Sequence, residues 1–185
     1  MKKWIVLCLI CLLGCMPKYT PTARIKDYGA QGALVLPASK IETVSLVEQG
    51  PQPPHIENRM PQSPEKALYN WAYVRLRTNR VRDLTARFII EEASMIREEE
   101  PQRWPWQYDN YKYTLTWKVR LQLADSKGFA PFETATQGFV MRTLPQKASV
   151  NETKALWTDM LDEMEILVNE KITQDVSDNL IDISF

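Results

Sequence analysis

Histidine and cysteine are almost missing from this 185-residue chain, which has one of the first and three of the second. A nucleophilic or metal site draws several such side chains together. Two of the cysteines, Cys8 and Cys11, lie inside an apolar N-terminal run, so neither Cys–His catalysis nor ordinary zinc ligation has the residues it needs. An excess of charge is lacking too: 23 basic side chains face 23 acidic ones. Nothing therefore points to nucleic acid as a partner. Glycine is scarce, and no phosphate-cradling loop, dinucleotide fingerprint or Gly-x-Ser-x-Gly elbow occurs. The one long apolar run, Trp4 to Leu13, falls far short of the roughly 20 residues that span a bilayer. These absences predict no enzyme, no cofactor, no metal and no catalytic residue.

What is present begins with that run. Lys2 and Lys3 form a positive lead, Trp4 to Leu13 an apolar centre, and Gly14 a small residue before Cys15. This is the layout of an export signal. Leu12-Leu13-Gly14-Cys15 resembles the lipobox of bacterial lipoproteins, with Leu13 where Ala, Ser or Thr is more usual. The resemblance implies that the Cys15 thiol carries diacylglycerol and that residues 1–14 are removed. A plain secretory signal and an uncleaved anchor are the alternatives. Cys8 and Cys11 cannot replace Cys15, because bulky Leu7 and Ile10 precede them. Loss of Lys2 and Lys3 with the signal leaves a net charge of −2 and a single cysteine. No disulfide then forms within the chain, and stability must come from a packed core.

The sequence divides into a signal peptide over 1–14, a lipidated N-terminus and tether over 15–32, and one globular envelope domain over 33–185. Pro17, Pro21, Gly29 and Gly32 mark the tether. Ala33–Leu36 and Ile41–Val47 are short candidate strands, and a proline-rich connection follows. Ser63-Pro64-Glu65 predicts a helix start, with Leu68, Trp71, Ala72 and Leu76 at helical spacing. Leu84 to Ile90 alternates as a strand. From Tyr111 to Leu123 the alternation runs without a miss, predicting a long antiparallel strand buried on one side. Asp125-Ser126-Lys127-Gly128 supplies a turn, and Glu133 to Leu144 returns in ambiguous phase. Gly138 there is a bulge or a close-approach site. Ser149 and Glu152 have capping-box spacing before a helix striped by Trp157, Met160, Leu161, Met164, Val168 and Ile172. The tail from Asp175 continues the helix, adds an edge strand or meets a partner. The expected fold class is α+β, an antiparallel sheet of three to five strands with two helices packed on one face.

Four features bear on function. His55, in the proline-rich stretch, reads as a polar loop residue. Glu91-Glu92 and Glu98-Glu99-Glu100 are carboxylate pairs of the kind a glycosidase uses, but adjacent acids in a strand face opposite ways, and the triplet reads as a solvated charge run. Arg75, Arg77, Arg80 and Arg82 surround a helix end, either completing its termination or forming an anionic-ligand patch. Trp104, Trp106 and Tyr108 fall between two strands, where aromatics dock a partner, sit at a lipid headgroup boundary, or fold back over the core.

In the order of its elements the chain is similar to small envelope lipoproteins of the lipopolysaccharide-assembly type and to auxiliary lipoproteins of ABC transport systems. The resemblance implies a membrane protein held through the Cys15 lipid anchor, a partner of an envelope protein complex. Met16 after the cysteine is similar to lipoproteins sent to the outer membrane, which implies the periplasmic side of that membrane. The alternative to an adaptor is a carrier of an apolar ligand such as a lipid.

Overall fold

The computed structural model describes residues 32–48, 53–101 and 109–180. Helix α1, Pro64–Arg75, starts where the sequence predicts: Ser63 Oγ accepts the Lys66 N–H at 3.3 Å, Pro64 occupies the first turn and Glu65 meets the positive end of the dipole. Helix α2, Val150–Leu180, opens with the expected reciprocal cap. The Ser149 N–H donates to Glu152 Oε2 at 2.8 Å and the Glu152 N–H to Ser149 Oγ at 3.2 Å. At 31 residues α2 is roughly 46 Å long. The longest strands, at 15 and 16 residues, run roughly 50 Å. The helix therefore spans the sheet from end to end, and the tail up to Leu180 belongs to it.

The strands are β1 (Leu34–Leu36), β2 (Lys40–Ser45), β3 (Leu76–Thr78), β4 (Thr85–Glu100), β5 (Asn110–Ala124) and β6 (Phe132–Pro145). The main sheet has the order β2-β4-β5-β6. The α+β class is as expected, but the sheet is mixed rather than purely antiparallel. β4, β5 and β6 form an antiparallel meander, whereas β2 joins β4 in parallel, and β1 pairs in parallel with β3 as a separate two-stranded sheet. Parallel pairing needs a crossover. Here α1 lies in the connection for both pairs, which is why two brief strands with little periodicity of their own find partners beyond a helix.

Inward-facing residues alternate along every long strand. On β5 these are Tyr113, Leu115, Trp117, Val119, Leu121 and Leu123; on β6, Phe132, Thr134, Val140 and Leu144. β4 changes phase. Ala86, Phe88 and Ile90 face the core before a register shift at Glu91, and Ala93 and Met95 after it. One extra residue at this bulge moves the inward set from even to odd positions. The whole predicted stripe of α2 is buried against this face, as are Leu68, Trp71 and Ala72 of α1.

The outer side of β4 is closed twice over. β2 covers residues 85–90, and the segment around His55 takes over beyond it. There the Ile56 N–H donates to the Met95 carbonyl at 3.0 Å and the Arg97 N–H to the Pro54 carbonyl at 2.9 Å. The buried Glu57 carboxylate accepts the Met95 N–H at 2.8 Å and lies 3.1 Å from His55 Nδ1. His55 is thus a partner in closing the sheet.

Candidate functional sheet face and edge

The helices cover one face of the sheet; the other faces solvent. Its charges are paired across strands. Glu42 of β2 receives Lys40 at 2.6 Å and Arg87 of β4 at 3.2 Å. Glu91, the bulge residue, receives Lys118 at 2.8 Å and also Arg120, which reaches on to Glu133 of β6 at 3.3 Å. Lys112 meets Glu98 at 2.7 Å. The bond from Lys118 holds the Glu91 carboxyl below its ordinary range, against the opposing effect of burial, with Arg120 adding to it. Half-exposed pairs of this kind contribute little to stability. Their consequence is a face whose charge is internally neutralised.

Towards β6 the face turns apolar. Phe139 is 62% exposed and Met141 50%, with Ala135 beside them on the same side. This resolves the ambiguous phase of the strand: Ala135, Phe139 and Met141 look outward, and Val140 looks to the core with Thr136 half-buried beside it. Gly138 is a close-approach site and not a bulge, since the β5–β6 register runs through it unbroken. A Cβ built there would stand 2.6 Å from Cζ2 of the Trp117 indole. Only glycine lets that ring lie flat beneath β6.

Beside this strand runs a groove of about 680 Å³, between residues 135–139 and the α2 side chains Leu167, Glu170, Lys171 and Gln174, with Trp117 at its base. Trp117 is 2% exposed, and its indole N–H has no hydrogen-bond partner among the described residues. Lys171 pairs with Asp175 at 2.7 Å, and Thr134 donates to the same carboxylate. Sequence reasoning flagged Gly138 but missed the groove, because α2 and β6 meet only in the folded chain.

The arginines near the end of α1 do not form one cluster. Arg75 is buried between the helices, donating from Nε to Asn169 Oδ1 at 2.7 Å and from Nη2 to Thr173 Oγ1 at 3.3 Å. Arg77 donates to the Tyr73 and Leu76 carbonyls at 2.6 and 2.7 Å, as a helix-ending cation does. Glu98, Glu99 and Glu100 are exposed and form the last three residues of β4. Cys15, Trp104, Trp106 and Tyr108 lie outside the described residues. No helix among the described residues is long and apolar enough to cross a membrane, and no group of three or more His, Cys, Asp or Glu among them is placed to hold a metal ion.

No model of a known protein family matches the chain, and no curated protein matches it. Among solved structures it is similar to a minor lipoprotein from Acinetobacter baumannii, at 12% identity and a TM-score of 0.43 over 74% of this chain and 91% of that one. It is similar also to an uncharacterized lipoprotein B from Nitrosomonas europaea, at 14% identity and a TM-score of 0.41 over 79% and 89%. A rare lipoprotein B from Shewanella oneidensis gives 14% identity and a TM-score of 0.37 over 79% and 99%. These neighbours are lipoproteins; the likeness is in the coarse path of the chain, and no site residue passes across it.

Proposed function

We propose that this chain is a lipid-anchored envelope protein, held on the periplasmic side of the outer membrane through Cys15, that serves as a non-enzymatic adaptor in an outer-membrane assembly or transport complex. The observation that carries the reading is Leu12-Leu13-Gly14-Cys15 behind a charged and apolar leader. A domain whose outward sheet face is charge-neutralised at one side and apolar at the other supports it, because such a surface suits docking better than chemistry.

The anchor is tested by Cys15→Ser. Each buried methylene is worth about 0.8 kcal/mol, so loss of the acyl chains should move the protein from the membrane to the soluble fraction and abolish palmitate labelling. Labelling equal to the parent's would overturn the anchor. The docking role is tested at the aromatic segment. Trp104→Ala with Trp106→Ala should leave the melting temperature unchanged and weaken capture of an envelope partner by about 2 kcal/mol, roughly thirtyfold. A lowered melting temperature with undiminished capture would remove these residues from the docking surface.

The groove beside β6 favours one second reading, a carrier of an apolar ligand, since its volume falls within the range of small-molecule sites. Lipid co-purifying in stoichiometric amount, identified by mass spectrometry, would support the carrier over the adaptor.

A further inference from the structure

β6 has a long edge that nothing covers among the described residues. The groups it presents follow from register. The Gln146 N–H donates to the Asp109 carbonyl at 2.9 Å, one step beyond the Asn110–Pro145 pair. In an antiparallel ladder this makes the even residues of β6 the ones that exchange bonds with β5. The odd residues, Ala135, Gln137, Phe139, Met141 and Thr143, turn their N–H and C=O groups outward.

Exposed edges are ordinarily blunted by brevity, proline, lysine or a bulge. β6 is 14 residues long, its register with β5 is continuous, and lysine is absent from it. Its two charges are engaged, Glu133 with Arg120 and Arg142 with Glu163 and Asp159. The opposite edge strand, β2, has only six residues, and beyond it the His55 segment covers β4.

We propose that the occupant of this edge is a second copy of the chain, paired β6 to β6 in antiparallel sense about a two-fold axis at Gly138. Outward groups must meet outward groups, so odd residues face odd. An axis at Gly138, the middle of the strand, uses nearly its whole length. It sets Glu133 opposite Thr143 of the second copy, Ala135 opposite Met141, and Gln137 opposite Phe139. No like charges meet. Thr143 neighbours Lys112 within its own sheet, so the row from Glu133 continues across the junction to an ammonium. Glu170 and Lys171 line the groove on the helix side, and the two-fold axis repeats this pair of mixed sign on the second copy. At the axis the two glycines form a non-hydrogen-bonded pair with Cα atoms about 4.5 Å apart, the closest approach a ladder allows. The exposed Phe139 and Met141 of each copy then lie in one continuous eight-stranded sheet. This pairing goes beyond the adaptor reading and stands without it.

The test is directed cross-linking of the full chain in membranes under a mild oxidant. Ala135→Cys with Met141→Cys should give a reductant-sensitive species at twice the chain mass, as should Gln137→Cys with Phe139→Cys. Positions 135 and 141 are roughly 20 Å apart along one strand, too far to bridge within a copy. Val44→Cys, on the opposite edge strand, should give none. Adding Phe139→Lys to the 135/141 pair should cut the yield at least tenfold. Absence of the dimer in both double-cysteine variants, at parental abundance and protease resistance, would overturn the pairing. So would a yield indifferent to Phe139→Lys, or a product whose mass reveals a different protein on the edge.

Discussion

Trp117→Asp is expected to abolish cooperative folding, while Lys118→Asp, one residue on, should lower stability by about 1 kcal/mol or less. Trp117 is 2% exposed beneath Gly138. Removing a buried indole costs about 3–5 kcal/mol, and the carboxylate left in its place must be desolvated without a partner. The total reaches the whole stability of an ordinary domain. Lys118 points to the solvent face; its change to Asp breaks the pair with Glu91 and sets a second carboxylate beside it, while Arg120 stays bound to Glu91. Urea unfolding followed by circular dichroism separates the two; equal midpoints would show that the faces of β5 are assigned the wrong way round. Because the Trp117 N–H has no partner among the described residues, Trp117→Phe should be far milder than either Trp117→Asp or Trp117→Ala.

Arg75→Ala should be the next most damaging change, at about 3 kcal/mol or more. The guanidinium is buried where α1 passes α2, and its loss leaves Asn169 Oδ1 and Thr173 Oγ1 short of a donor next to a new cavity. Arg75→Met, which keeps the aliphatic stem, should recover part of the loss and none of the hydrogen bonding. The unfolding midpoints of the two variants check this. A midpoint unchanged in Arg75→Ala would mean that Arg75 acts as a surface residue, as its neighbours in sequence do.

That arginine shows where reading from sequence stops. Its place at the end of a helix is legible from local spacing; its burial depends on Asn169, 94 residues away. The same division holds elsewhere. β5 and α2 announce themselves because each is long, amphipathic and periodic, and the caps at Ser63 and Ser149 need only three neighbouring residues. β4 reads short because the extra residue at Glu91 breaks the alternation and its far end is charged. The parallel pairings of β1 and β2 leave no local trace at all. Of the candidate site residues, Gly138 was visible as an anomaly whose cause, the Trp117 ring, lies on the neighbouring strand. Cys15 and the aromatic segment at 104–108 rest on sequence.

The same parallel pairings impose an order on assembly. β1 aligns Leu34 with Leu76 and β2 aligns Lys40 with Thr85, so each waits for a partner more than 40 residues downstream. The meander β4-β5-β6 needs only adjacent segments, and closing its turns costs less entropy than closing those long loops. A chain emerging N-terminus first, from a ribosome or through a membrane pore, therefore exposes two unpaired apolar segments, Leu34–Leu36 and Ile41–Val47, until α1 and the first half of β4 have followed. Of the described strands, β1 and β2 are synthesised first and find their partners last, and a holding chaperone would meet them during that interval.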